Sequence, residues 1–104
     1  MSKYSVIVSK HADEMLVNHA GFLARVRVSA AERMVDEFEK ILDVLEETPY
    51  LFPVEDAYGL PPGFRKALFC KWYKALFSVD EGKKEVYLDA VLDCRQDNSQ
   101  YHSN

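Results

Sequence analysis

The sequence is short of cysteine, glycine and long apolar runs, and each shortage removes a class of protein. Two cysteines in 104 residues, Cys70 and Cys94, are too few for a disulfide framework and lack zinc-ligand spacing. A reduced, cytoplasmic chain is expected. Four glycines supply no glycine-rich phosphate loop, and Gly59 and Gly63 sit among prolines as turn residues. With no His-x-x-x-His and no Cys-x-x-Cys pair, no metal site and no cofactor are expected. No apolar run approaches the ~18 residues of a membrane span. Met1-Ser2-Lys3-Tyr4 leads into a strand-like segment without the apolar stretch of a signal peptide. Bases are not in excess either: 13 against 17 acids give a net charge of −4. Nucleic-acid binding would therefore need a local basic patch.

What is present is an ordinary globular balance, 48% hydrophobic and 29% charged, which argues against disorder. Residues 1–104 read as a single domain, large enough to bury roughly two-thirds of its unfolded surface without staples.

Tyr4 to Ser9 is short and β-branched, a strand. Met15, Leu16, His19, Phe22, Leu23 and Val26 then recur at helical spacing. Met34, Val35, Phe38, Ile41, Leu42 and Leu45 repeat the pattern, shifted by 19 residues. Both are amphipathic helices. Ser29-Ala30-Ala31-Glu32 between them reads as a capping box that starts the second helix, with the first ending near Val28. So short a connection makes the two an antiparallel hairpin. Thr48-Pro49 ends the second helix. All four prolines fall from Pro49 to Pro62, in a connector stiffened by them and apolar enough to pack.

Three strand candidates follow: Phe64 to Cys70, Trp72 to Val79 and, after an Asp80-Glu81-Gly82-Lys83 turn, Glu85 to Cys94. Alternation puts Tyr73, Ala75, Phe77 and Val79 on one face of the second. In the third, Val86, Leu88, Ala90, Leu92 and Cys94 face one way, and Tyr87, Asp89, Val91, Asp93 and Arg95 the other. Residues 96–104 are polar and expected to fray. The order β-α-α-β-β-β implies an α+β fold, a helical hairpin on a small, largely antiparallel four-stranded sheet.

His19 fills a helix stripe and reads as a partly buried core histidine. Glu85, Asp89 and Asp93 are spaced about 13 Å apart along a strand, too far for one metal ion, and read as a solvated face. Arg65, Lys66, Lys71 and Lys74 interleave with Phe64, Phe69, Trp72 and Tyr73. Cations and aromatics on a sheet suit RNA, since phosphates take the charge and splayed bases stack on rings. Composition alone favours a solvated outer face with Lys–Asp pairs.

In order and motif the chain resembles the RelE/ParE superfamily of toxins from bacterial toxin–antitoxin modules, also known as plasmid stabilisation proteins. The resemblance spans nearly the whole chain. It rests on Leu60-Pro61-Pro62-Gly63-Phe64-Arg65-Lys66, on Tyr73-Lys74-Ala75-Leu76-Phe77-Ser78-Val79-Asp80 and on Val91-Leu92-Asp93-Cys94-Arg95-Gln96-Asp97. It implies a partner antitoxin, which exposed apolar surface around Trp72, Tyr50, Phe52 and Tyr58 would dock. It also implies one of two activities. The first is a ribosome-dependent, metal-independent mRNA endonuclease that arrests growth. There Arg65, Lys74 and Arg95 would stabilise the phosphorane, and Tyr101 or His102 would move protons. The second is a gyrase inhibitor without chemistry, working through the helical hairpin, near Arg25 and Arg27, and the frayed tail. A third alternative is a non-toxic antitoxin-binding homologue. Departures from the nuclease pattern are Ala67 in place of a second base, Lys74 in place of arginine, and Asp89, Asp93 and Asp97 close to Arg95.

Overall fold

The computed structural model describes residues 3–55 and 62–95. Strand β1 (Ser5–Val8) leads into α1 (Lys10–Val26) and α2 (Val28–Glu47). One 3-10 turn, Pro49–Leu51, opens the connector. Strands β2 (Arg65–Phe69), β3 (Tyr73–Asp80) and β4 (Glu85–Asp93) complete a sheet of order β1-β4-β3-β2. β1 runs parallel to β4 and the other pairs are antiparallel. This is the expected α+β architecture.

Local chemistry sets the helix ends. Ser9 caps α1, its hydroxyl oxygen accepting the Ala12 N–H at 2.9 Å, a role alternation along β1 did not reveal. The expected capping box at Ser29 does not form. A single extended residue, Arg27 (φ −160°), separates the helices. Its N–H closes α1 on the Leu23 carbonyl, and its carbonyl accepts the Ala30 and Ala31 N–H groups to open α2. Ser29 therefore already lies inside the first turn. α2 stops where expected: Thr48 is its C-cap and Pro49 cannot continue the ladder.

α2 buries Met34, Phe38, Ile41 and Leu45 against Ala67, Phe69, Ala75 and Phe77 of the sheet, each burial contributing about 1.5–3 kcal/mol. α1 buries Ala12 and Leu16, with His19 and Leu23 half-buried. Phe22 and Val26, expected on that stripe, are 61% and 80% exposed. His19 already bonds Val91 near the end of β4, so the last turns of α1 run past the sheet.

The face assignment of β4 needs correction. Leu76 pairs with Ala90 but Phe77 pairs with Leu88, so Asp89 is an extra residue. A bulge of this kind reverses alternation beyond it. Val86, Leu88 and Val91 therefore share the helix-covered core. Ala90 and Leu92 join Leu76 in a second cluster on the opposite face, against which Phe64 packs. That outer face is not fully solvated: Leu76 and Ala90 are completely buried.

Candidate functional site

Strand pairing sorts the cations of β2 and β3. Residues directly opposite share a face. Arg65 pairs with Phe77, on the core side, whereas Lys66 pairs with Leu76 and Leu68 with Lys74. Lys66 and Lys74 thus lie together on the outer face, and Arg65 lies behind it.

The connector reaches this face by extending the sheet. Val54 bridges Arg65, the Glu55 N–H donates to the Phe64 carbonyl at 2.8 Å and the Lys66 N–H to the Pro53 carbonyl at 3.0 Å. Glu55 is thereby laid over the lysines. Lys74 Nζ stands 2.8 Å from Glu55 Oε1, and Lys66 Nζ stands 3.6 Å from the same oxygen. Glu55 is 4% exposed and Lys74 7%. Desolvation pushes up the pKa of the exposed Cys94 thiol, with the charges of Lys74 and Lys66 opposing.

Arg65 is engaged elsewhere. Its Nη1 donates to the Phe52 carbonyl at 2.7 Å, and its guanidinium lies 5.0 Å from the Tyr50 ring centre. Arg95, beyond the end of β4, forks onto Asp93 through Nε at 3.1 Å and Nη2 at 2.9 Å. Burial acts to raise the Asp93 carboxyl, but hydrogen bonds from the Arg95 side chain and amide outweigh it and hold it below the usual range. The Tyr73 hydroxyl is pushed up by burial and by Asp93, with the Arg95 charge opposing. Trp72 has Arg95 and Lys71 each 5.0 Å from its ring centre. The structure therefore does not gather Arg65, Lys74 and Arg95 at one point. Tyr101 and His102 lie outside the described residues.

His19 Nε2–H donates to the Val91 carbonyl at 3.0 Å, and its ring stands 5.2 Å from that of Tyr73. This is the partly buried histidine expected. Asp89, read as solvated, is half-buried at the bulge, and burial raises its pKa while His11 opposes. Among the described residues no three His, Cys, Asp or Glu side chains cluster to hold a metal ion. No described helix is long and apolar enough to cross a membrane.

A separate cleft of about 570 Å³ opens at the hairpin tip, its lining including Leu23, Arg27, Arg33, Lys71, Trp72 and Tyr73. Trp72 is 41% and Tyr50 49% exposed, while Tyr58 lies outside the described residues.

Sequence reading missed Lys66 as the partner of Lys74, and missed Glu55 entirely. Period-two spacing from Leu68 back to Lys66 was the available signal for the first. For the second there was none, because Glu55 sits 19 residues from Lys74 in an irregular segment.

No family model and no curated protein matches the chain. Solved structures do. A chain of the chromosomal ParDE TA system from P. aeruginosa superposes with a TM-score of 0.70 at 16% identity, covering 88% of this chain and 96% of that one. A chain of the toxin–antitoxin complex RelBE2 from Mycobacterium tuberculosis gives a TM-score of 0.55, also at 16% identity, covering 88% of this chain and 98% of that one. This chain shares its fold with a chain of each of these two toxin–antitoxin structures.

Proposed function

We propose that this chain is the toxin of a toxin–antitoxin pair, silenced by a cognate antitoxin, and that it acts on mRNA at the ribosome. One observation carries the choice of RNA: Lys66 and Lys74 converge on a single carboxylate oxygen, at 3.6 and 2.8 Å. Two ammonium groups aimed at one oxygen form a point-charge pocket for an oxyanion such as a phosphate. In cleavage, the RNA 2′-oxygen attacks phosphorus and the P–O5′ bond breaks. The 2′-proton goes to a base and the 5′-oxygen takes a proton from an acid. This leaves a 2′,3′-cyclic phosphate and a 5′-hydroxyl. Lys66 and Lys74 would offset the charge that builds on the non-bridging oxygens. Arg95 would hold the flanking strand beside Trp72, a stacking surface for a base. Tyr101 or His102 would carry the protons, as the resemblance implies.

A second reading, a gyrase inhibitor that works by binding alone, is favoured by the hairpin tip. Phe22, Val26 and Val28 are 61%, 80% and 63% exposed there, next to Arg25 and Arg27. Large exposed apolar groups rimmed by charge mark protein contacts.

Primer extension on mRNA after induction of the chain alone in a bacterial host separates the two. Cleavage within translated codons, lost in Lys74→Met and Arg95→Ala, is the expected result. Growth arrest with intact mRNA and broken DNA would establish the second reading in its place. Absence of both would leave an antitoxin-binding homologue without toxicity.

A further inference from the structure

We propose that Glu55 closes the lysine pocket from within: its carboxylate occupies the place of a phosphodiester, and RNA binds by displacing it. This rests on the RNA reading of the outer face.

Three features carry the inference. The first is the energetics of burial. Taking Glu55 and Lys74 out of water carries a large desolvation cost, and packed apolar residues of similar size would serve stability as well or better. A buried ion pair in this place is therefore poorly explained by stability alone. The second is the kind of segment that carries the carboxylate. It arrives on an irregular connector that meets the sheet edge through the Val54–Arg65 bridge, two backbone hydrogen bonds and the Arg65 bond to the Phe52 carbonyl. Lys66 and Lys74, by contrast, stand on the regular antiparallel ladder of β2 and β3. The anion is on an irregular segment, and the cations are on regular strands. The third is the shape of the pocket. Both lysines approach the same Oε1 as point charges, the manner in which lysine binds a phosphate oxygen.

The test is fluorescence anisotropy with a labelled single-stranded RNA 12-mer and the full chain, in parallel with Glu55→Gln. The amide keeps the shape and a hydrogen-bond acceptor but removes the charge. Glu55→Gln is expected to bind the RNA at least tenfold more tightly, with a salt dependence steeper by about one phosphate contact. The gain should disappear when Lys74→Met is added. Equal affinity of parent and Glu55→Gln overturns the proposal. So does a gain that survives Lys74→Met, or an equal gain toward a poly-glutamate peptide, which would make the pocket a carboxylate site for a protein partner. If Glu55→Gln does not fold, Glu55→Asp decides by the same readout. It withdraws the carboxylate by one methylene, so an intermediate gain is expected, and unchanged affinity refutes the plug. Cleavage of mRNA by the parent with no gain in Glu55→Gln rejects the plug and leaves the RNA reading standing. Absence of both RNA binding and cleavage in every variant rejects the two together.

Discussion

The carboxylate of Glu37, on α2, accepts the backbone N–H of Cys70 at 2.8 Å. Cys70 and Lys71 both have positive φ, 47° and 70°, a conformation that costs non-glycine residues energy. Glu37 thus ties a strained β2–β3 turn to the helix behind it. Its carboxyl is held low first by that N–H and then by Arg33. Glu37→Ala leaves the N–H without its partner and should cost about 1–2 kcal/mol. Arg33→Ala, which removes only the exposed end of the chain of contacts, should cost under about 0.5 kcal/mol. Urea denaturation of both variants checks the contrast, and equal losses would contradict it.

Glu81 links the connector to the β3–β4 turn. Its Oε1 accepts the Tyr4 hydroxyl at 2.9 Å and the Tyr50 hydroxyl at 2.8 Å, and Oε2 is bonded by Lys84. Lys84 first, then Tyr50 and Tyr4, lower its pKa to about 2. The folded value lies below the unfolded one. Its stabilisation is therefore fully present above the unfolded pKa of about 4.3 and is lost as pH falls through about 2. Melting temperature measured from pH 6 to pH 2 should fall less steeply in Glu81→Gln than in the parent. Parallel curves would show that the carboxylate contributes nothing to acid stability.

The bulge at Asp89 makes a prediction that plain alternation reverses. Val91 is fully buried although it shares odd-numbered spacing with half-buried Tyr87. Val91→Ser should cost at least about 2 kcal/mol, through lost apolar contacts and a hydroxyl without a partner. Tyr87→Ser should cost much less. Chemical denaturation of the two variants decides, and the opposite order would mean that β4 runs without the bulge.

Trp72 is the one tryptophan of the chain, so its fluorescence reports the Arg95 contact directly. Arg95→Ala removes one of the two cations over the ring and should make Trp72 more open to acrylamide quenching in a protein that still folds. Lys71→Ala should act in the same direction. Unchanged quenching in both would mean that neither cation rests on the ring in solution.

Much of the fold was legible because its signals are local. The spacing of Met34, Phe38, Ile41 and Leu45 fixes the buried face of α2 whatever packs there. The missing N–H of Pro49 ends that helix in any context. Alternation through Tyr73, Ala75 and Phe77 fixes the core side of β3. The site was less legible. Arg65 and Lys66 are adjacent bases, and choosing between them requires knowing that Lys66 stands opposite Leu76. The two faces of a strand carry the same weight in sequence until pairing decides which is covered.

The sequence by itself determined the element order, the hairpin and the sheet strands, because helical and strand periodicities are properties of neighbouring residues. The tertiary structure alone decided three things. It put an extra residue into β4 at Asp89, left the end of α1 beyond the sheet, and brought Glu55 onto Lys66 and Lys74. Each depends on contacts between segments far apart in the chain. There, the register of one strand against another sets which side chains meet, and no local pattern records it.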